Sequence, residues 1–135
     1  MKPDLYVMVG LPRSGKSTHA RSLGMPIVSK DSIRLALHGK RFLTEAEPWV
    51  KVIAKTMVKA LFASGHEQVV VDECNITRKH REEWMSDDWD TTFVEMDTVA
   101  EECLSRAADE SDHEIIDVIV RMIDAYEPVH QCQEE

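Results

Sequence analysis

VMVGLPRSGKST, residues 7–18, is the stretch that decides the fold of this chain. Residues 5–9 form an unbroken apolar run, which is typical of a strand buried on both faces, and Gly10 ends it. Residues 10–17 then match the pattern G-x-x-x-x-G-K-[ST] of a phosphate-binding loop. His19, Ala20 and Leu23 follow at helical spacing, so the strand and the helix that this pattern requires are both predicted.

Each residue type in this loop has a chemical reason. Gly10 and Gly15 allow backbone conformations closed to other residues, so that successive N–H groups can point at a phosphate chain. Lys16 would reach the β- and γ-phosphates of ATP, and the Ser17 hydroxyl would bind Mg²⁺. A helix starting near Lys16 would add the positive end of its dipole. The residues predicted to bind ATP are Gly10, Leu11, Pro12, Arg13, Ser14, Gly15, Lys16, Ser17 and Thr18.

The remainder of the chain alternates strands and helices. Short apolar runs predict further strands at about 27–29, 68–72 and 92–96, with helices between them. Thr44, Thr98 and Ser111 each stand three residues before a Glu, and this capping-box spacing predicts a helix start near each. We therefore predict an α/β protein of the P-loop NTPase fold, with a parallel sheet of about four strands flanked by helices. Two further helices are predicted at about 99–108 and 112–125.

Charge is divided unequally along the chain. The 135 residues carry a formal net charge of −9, which by itself argues against a nucleic-acid partner because phosphate binding depends on Lys and Arg. Residues 1–81, however, carry 14 Lys and Arg against 7 Asp and Glu, whereas residues 82–135 carry 2 against 18. The half that contains the phosphate loop is therefore basic and can meet an anionic ligand, while a solvated acidic face explains the other half.

Composition also indicates the cellular compartment of the protein and the state of its cysteines. The apolar runs are far shorter than a membrane span, and the first of them belongs to the opening strand, so we expect a cytoplasmic protein, in the host cell if it is viral. Cys74, Cys103 and Cys132 are odd in number and widely spaced, which predicts reduced thiols rather than a metal site.

Two groups of acidic residues follow predicted strand ends. Because parallel strands present their carboxyl ends at one edge of a sheet, Asp31 and Asp72 are expected beside the phosphate loop. Asp31 could cap a helix, could accept the proton of an attacking hydroxyl, or could do both. Arg34, one turn later, would orient the acceptor or that carboxylate. Asp72 would hold Mg²⁺, whereas in an ATP-hydrolysing enzyme the following Glu73 would activate water.

Three segments together resemble a known family. GLPRSGKST, SKDSIR and VVVDECNITRKHREEW, in this order, look like the small P-loop kinases of the polynucleotide 5′-hydroxyl kinase family, including the kinase domains of phage end-healing enzymes. The resemblance covers nearly the whole chain. It implies that Lys16 and Ser17 bind ATP with Mg²⁺, that Asp31 is the general base, and that Arg34 positions the acceptor.

The same resemblance assigns the acceptor side and the lid. Asp72 and Asn75 fall where the family organises the acceptor, and Arg106 falls on the helix that enters the lid. Such kinases usually place a second arginine in the lid turn, where it neutralises charge on the transferring phosphoryl group. Here that turn is AADESDHE, residues 107–114, whose acids would repel a triphosphate. Either Arg106 or Arg121 covers the role, the lid is remodelled, or transfer is weak.

We therefore predict an ATP- and Mg²⁺-dependent phosphotransferase, with residues 1–135 forming a single P-loop kinase domain. Its leading acceptor is a nucleic-acid hydroxyl, most simply a 5′ end; a hydroxymethylated base in DNA, a nucleoside and a small alcohol are alternatives. No membrane and no protein partner are expected. The second class is an ATPase or nucleotide-binding module that uses Asp72 and Glu73, and the third is a non-catalytic nucleotide binder. A GTPase switch is disfavoured because the guanine-reading N-K-x-D motif is absent.

Aromatic and basic residues outside these motifs receive structural interpretations. Trp49, Trp84 and Trp89 are predicted to be partly buried anchors rather than base-stacking platforms. Five cations could line a track for a nucleic-acid strand, although the last three are equally well explained as a solvated helix face. These cations are Lys40, Arg41, Lys51, Lys55 and Lys59.

Overall fold

The computed structural model describes residues 1–129 of the chain; the predicted thiol of Cys132 lies outside them. Its strands are β1 Asp4–Val9, β2 Ile27–Ser29, β3 Gln68–Asp72 and β4 Asp90–Glu95. Its helices are α1 Lys16–Ser22, α2 Lys30–His38, α3 Glu47–Ala63, α4 Arg78–Glu82, α5 Ala100–Asp109 and α6 His113–Ala125, with a 3-10 turn at Thr44–Ala46 before α3.

The four strands form one parallel sheet in the order β2-β3-β1-β4. The strand that feeds the phosphate loop, β1, is therefore central, with β3 on one side and β4 on the other. The predicted α/β fold with a parallel sheet flanked by helices is confirmed. Its fourth strand begins at Asp90, earlier than predicted, and pairs with β1 from Asp4 onward.

Alternation along β1 divides the core between the two faces of the sheet. Leu5 and Val7 are fully buried in a cluster that includes residues of α2 and α3, whereas Met8 is buried with Ala20 of α1 on the other face. Successive side chains of a strand point to opposite faces, so a strand covered on both sides must be apolar throughout. This is why the opening run shows no polar alternation.

The two C-terminal helices pack on each other at the end of the sheet. Cys103 and Ala107 of α5 and Ile119 of α6 are buried together with Leu11, a residue of the phosphate loop itself. The turn between α5 and α6 therefore lies against the phosphate loop, which places the helical lid where the sequence predicted it.

The three capping-box predictions are wrong in detail. Thr44 lies in the 3-10 turn, and α3 begins only at Glu47 without a side-chain cap. The residue before α5 is Val99, and the hydroxyl of Thr98 instead donates a 2.7 Å hydrogen bond to the carbonyl oxygen of Ser14. The cap of α6 is Asp112.

Other sequence predictions have mixed outcomes. Trp84 and Trp89 are buried more deeply than predicted, at 3% and 2% exposure, whereas Trp49 is 62% exposed and is therefore not a buried anchor. Within the described residues, Cys74 and Cys103 are free thiols, and burial raises the pKa of both. No helix in residues 1–129 combines the length and apolar character needed to cross a membrane.

Candidate active site

The phosphate loop has the tight geometry that its glycines predict. A Cβ at Gly10 would lie 2.7 Å from Ser14 Oγ and 3.1 Å from the Cβ of Met96, so no larger residue fits there. The Gly10 N–H donates to the carbonyl oxygen of Cys74 at 2.9 Å, which ties the loop to the segment after β3. Gly15 adopts φ +95 and caps α1, a conformation that favours glycine.

Two buried polar side chains of this loop, those of Lys16 and Ser14, are suited to binding a phosphate. The buried Lys16 donates from Nζ to the carbonyl oxygen of Leu11 at 2.7 Å, so its ammonium folds back over the loop. The hydroxyl of Ser14 is buried and has no hydrogen-bond partner within residues 1–129. Buried polar atoms are normally paired, so a loop with an unpaired hydroxyl and an inward ammonium is suited to an anionic ligand.

Ser17 and Asp72 meet at the mouth of the loop. The Ser17 hydroxyl donates to Asp72 Oδ2 at 2.6 Å, which joins the start of α1 to the last residue of β3. The two residues predicted as metal ligands are therefore adjacent. In the described part of the chain, no group of three or more His, Cys, Asp or Glu side chains is arranged to hold a metal ion.

Asp31 and Arg34 form an ion pair in the first turn of α2. Arg34 Nη1 lies 2.8 Å from Asp31 Oδ1, and the Asp31 side chain is 86% exposed. Ser29, not Asp31, caps the helix, since its hydroxyl accepts the N–H of Ser32. Asp31 is thus free of the capping role that was its alternative interpretation.

Glu47 completes this arrangement, and sequence reasoning missed it. Arg34 donates to Glu47 through Nε at 2.8 Å and through Nη2 at 2.7 Å, a bidentate pair across α2 and α3. These hydrogen bonds raise the pKa of Arg34 and lower the pKa of Glu47, so both groups are charged at neutral pH. The Glu47 carboxylate therefore fixes the guanidinium that faces Asp31.

Ser17, Asp31 and Asp72 line one groove of about 650 Å³ between α2 and α3. Their side chains form its polar end, next to the phosphate loop. The remainder of its wall is mainly apolar and includes Ile33, Ala36, Leu37, Ile53 and Met57. A groove of this volume, with convergent polar groups at one end, is typical of a small-molecule or substrate-end binding site.

Asn75 is placed differently from the acceptor-side residues just described. It is almost fully buried, adopts φ +48, and donates from Nδ2 to the carbonyl oxygen of Met8 at 2.9 Å. Its amide therefore ties the segment after β3 to β1. Asn75 is not among the residues that line the groove, and its hydrogen bonds go to the backbone of Met8 and Glu73 rather than to Asp31 or Arg34.

We expect Asn75→Ala to lower the free energy of unfolding by about 1–3 kcal/mol, because a buried carbonyl loses its donor and alanine must take a left-handed conformation. Urea unfolding measures this change. Asn75→Gly, which relieves the backbone strain, should recover part of the loss and isolate the hydrogen bond. An unchanged midpoint for Asn75→Ala would contradict this structural role.

The acids of the lid turn are paired with arginines. Asp112 accepts hydrogen bonds from Arg13 of the phosphate loop and from Arg41, while Glu110 and Glu114 flank the same two guanidiniums. Hydrogen bonding by Arg41 lowers the pKa of Asp112 to about 2 and raises the pKa of Arg41. The repulsion expected from these acids is therefore offset in this structure by cations that the sequence did not associate with the lid.

The two arginines proposed to replace a lid arginine lie in different surroundings. Arg106 Nη1 donates to the carbonyl oxygen of Arg13 at 2.9 Å, so it contacts the phosphate loop, and its Nε pairs with Glu102. Arg121 is exposed on α6. Of the two, the structure brings only Arg106 to the loop.

A family model described as an AAA domain matches residues 5–129. This match includes the sheet, the phosphate loop and the lid. The chain belongs to this family. No curated protein matches the chain.

Several solved structures share the fold of this chain. This chain is similar to a chain in a structure of the Pnkp1/Rnl/Hen1 complex, with 26% identity, a TM-score of 0.71, and coverage of 78% of this chain and 39% of that chain. A Pnkp1/Rnl/Hen1 RNA repair complex gives 19% identity and a TM-score of 0.68, with coverage of 93% and 47%. The chain thus spans less than half the length of these two proteins.

The fold is also shared with a kinase of small molecules. The APS kinase CysC of Mycobacterium tuberculosis, solved with AMPPNP and APS, has 21% identity and a TM-score of 0.61, with coverage of 78% of this chain and 69% of that chain. These similarities show that this AAA-domain member has the P-loop kinase fold.

Proposed function

We propose that this chain is an ATP-dependent phosphotransferase that moves the γ-phosphoryl group of ATP to a hydroxyl, with residues 1–135 acting as one kinase domain. The observation that carries the proposal is the exposed Asp31 carboxylate, held by Arg34 in the same groove as Ser17 and Asp72. A base in that position stands between the phosphate loop and a space large enough for an acceptor.

The nucleotide side of the proposal depends on the loop. Lys16 would exchange its bond to the Leu11 carbonyl for the β- and γ-phosphates, and the loop amides would bind the remaining oxygens. Ser17 and Asp72 supply oxygen donors 2.6 Å apart. Mg²⁺ prefers oxygen and takes few protein ligands beside phosphates and water, so these two residues fit it. When bound, Mg²⁺ neutralises charge on the phosphates.

On the acceptor side, Asp31 would accept the proton of the attacking hydroxyl. The acceptor oxygen forms a bond to the γ-phosphorus while the bond from that phosphorus to the β–γ bridging oxygen breaks, and ADP leaves with the electron pair. Arg34, fixed by Glu47, orients the carboxylate or an acceptor phosphate. Catalysis then consists mainly of positioning and charge neutralisation, with Arg106 at the loop on the nucleotide side.

We further propose that the acceptor is the 5′-hydroxyl end of a nucleic acid, as in the polynucleotide 5′-hydroxyl kinase family. Two observations support this choice. The chain resembles proteins of an RNA repair complex. Phe42, which directly follows Lys40 and Arg41 in the sequence, exposes 61% of its surface, and Trp49 exposes 62%. Exposed aromatics near cations are suited to stacking on unpaired bases.

Kinases of small molecules share the fold, so the acceptor is tested by a screen. Radiolabelled ATP with Mg²⁺ is offered to 5′-hydroxyl DNA and RNA oligonucleotides, duplex DNA with hydroxymethylated bases, free nucleosides and small alcohols. We expect label on the oligonucleotides and none on their 5′-phosphorylated controls. Label only on modified duplex or on a small alcohol would contradict the 5′-end proposal while keeping the kinase, and no label on any acceptor would contradict the kinase.

An ATPase is the second candidate because Glu73 follows Asp72 and its Oε2 is buried without a hydrogen-bond partner in residues 1–129. Its other oxygen lies 2.9 Å from the ammonium of the buried Lys30, which itself lies 5.9 Å from the centre of the Trp84 ring. This pairing favours a structural carboxylate over a free base. ADP release that needs no acceptor and is lost in Glu73→Gln would favour the ATPase.

A further inference from the structure

One lid carboxylate binds two guanidiniums from distant parts of the chain. Asp112 Oδ2 accepts from Arg13 Nη2 at 2.9 Å and from Arg41 Nη2 at 2.5 Å, and its Oδ1 accepts from Arg41 Nη1 at 2.8 Å. Arg13 belongs to the phosphate loop, and Arg41 lies between α2 and α3. The Asp112 side chain is only 13% exposed, so its carboxylate lies between the two cations rather than in open solvent.

The two guanidiniums are not fully satisfied by this carboxylate. Arg13 Nε lies 3.1 Å from Glu110 but is not aligned to donate to it, and this buried N–H has no hydrogen-bond partner within residues 1–129. The flanking acids accept longer hydrogen bonds, Glu110 from Arg13 Nη2 at 3.3 Å and Glu114 from Arg41 Nη1 at 3.2 Å. An N–H donor left over on a guanidinium can bind an acceptor that has more oxygens than a carboxylate.

The backbone is strained on both sides of the contact between Arg13 and Asp112. Arg13 adopts φ +66 and Ser111, next to Asp112, adopts φ +55, although neither is glycine. Two hydrogen bonds from residues outside the loop hold the Arg13 backbone in this conformation. The carbonyl oxygen of Arg13 accepts one from Arg106, and that of Ser14 accepts one from Thr98. Left-handed conformations of such residues cost energy and cluster at ligand-binding segments.

Guanidiniums bind carboxylates and phosphates with the same bidentate geometry. Since Arg13 is part of the phosphate loop, the carboxylate that it binds lies beside that loop. We propose that Arg13 and Arg41 form a binding site for the terminal phosphate of a nucleoside triphosphate, and that Asp112 occupies this site until the nucleotide binds. The inference rests on the proposed function only in that the loop must bind a nucleoside triphosphate.

Removal of the negative charge of Asp112, which competes with the terminal phosphate for Arg13 and Arg41, should then strengthen triphosphate binding. Asn is a good helix cap, so Asp112→Asn keeps the start of α6 while losing the charge. We expect this variant to bind a non-hydrolysable ATP analogue about threefold to tenfold more tightly than the wild type, given the strength of bidentate charged pairs at a partly exposed site. ADP, which lacks the terminal phosphate, should change by less than about twofold. Titration calorimetry measures both nucleotides.

Two further variants make the result specific. Asp117→Asn removes the same charge from an exposed position of α6 and should leave both affinities unchanged. Arg41→Ala introduced into Asp112→Asn should abolish the gain, because the released guanidinium is the new phosphate ligand. A gain that survives Arg41→Ala, that appears equally with ADP, or that appears in Asp117→Asn would overturn the inference in favour of general repulsion.

The wild-type titration separates the two proposals. One outcome is that the wild type binds the ATP analogue and transfers phosphate while Asp112→Asn binds it no more tightly. In that case the proposed Arg13–Arg41 phosphate site is wrong, and the kinase proposal stands. If the wild type binds no nucleoside triphosphate and Asp112→Asn binds none either, both proposals are overturned. Binding by Asp112→Asn alone would support occupation of the site by Asp112.

Discussion

Asp31→Asn is expected to reduce phosphoryl transfer about 10²–10⁴-fold, the range that loss of a positioned general base produces. The amide keeps the size of the side chain and can still accept a hydrogen bond from Arg34, but it cannot accept the acceptor's proton. Nucleotide affinity should be unchanged, because Asp31 lies in α2 and pairs with Arg34 of the same helix rather than with the phosphate loop. Single-turnover transfer and ATP-analogue titration measure the two quantities separately.

Controls distinguish a base from a merely charged residue. Asp87→Asn alters an exposed carboxylate outside the groove and should transfer at the wild-type rate. Arg34→Lys keeps a positive charge but breaks the bidentate pair with Glu47, and it should raise the KM for the acceptor more than it lowers kcat if Arg34 positions the acceptor. Full activity in Asp31→Asn would remove Asp31 from the mechanism.

Local patterns were sufficient to predict the sheet and the loop. The apolar run of β1, the glycine spacing after it and the β-branched run of β3 all depend on residues that are close together in the sequence. A local pattern is therefore enough to recognise each of them. Parallel topology then determines that Ser17 and Asp72, 55 positions apart, meet at the strand ends. For this reason the groove could be predicted although its partners are distant in sequence.

The pairs that hold the site together could not be predicted in this way. Glu47 stands three residues after Thr44, so its local pattern indicates a cap, whereas the folded chain places it against Arg34. Arg41 is likewise indistinguishable from its basic neighbours until packing brings it to Asp112. Such ion pairs depend on how α2, α3 and α6 are oriented, and no periodicity in the sequence records that orientation.

The exposure of Trp49 has a related cause. The sequence predicts partial burial for all three tryptophans, and Trp84 and Trp89, which lie between α4 and β4, are buried more deeply than that. Trp49, however, lies in the first turn of α3, where the core-facing positions are taken by Val50 and Ala54. Which face of a helix is buried depends on the angle at which it meets the sheet, so the residue type alone gave the wrong environment.

Lys16→Met is expected to lower transfer by about 10²–10³-fold or more, the loss that follows removal of one electrostatic donor from a reacting phosphate or oxyanion. Methionine retains the length and apolar stem of the side chain, so the buried position stays filled. Unlike Asp31→Asn, this variant should also lose affinity for ATP, because the ammonium contacts the phosphates before and during transfer. The rise in melting temperature that saturating ATP gives the wild type should therefore be reduced or absent.

Lys59→Met is the matched control, since it makes the same exchange on the exposed face of α3 and should leave transfer and ATP stabilisation unchanged. The comparison of the two catalytic variants then separates the halves of the site. Loss of binding with Lys16→Met but not with Asp31→Asn places the nucleotide on the loop and the acceptor in the groove. Equal loss of ATP affinity in both variants would mean that the groove between α2 and α3 holds part of the nucleotide, and the acceptor would then have to enter from another side.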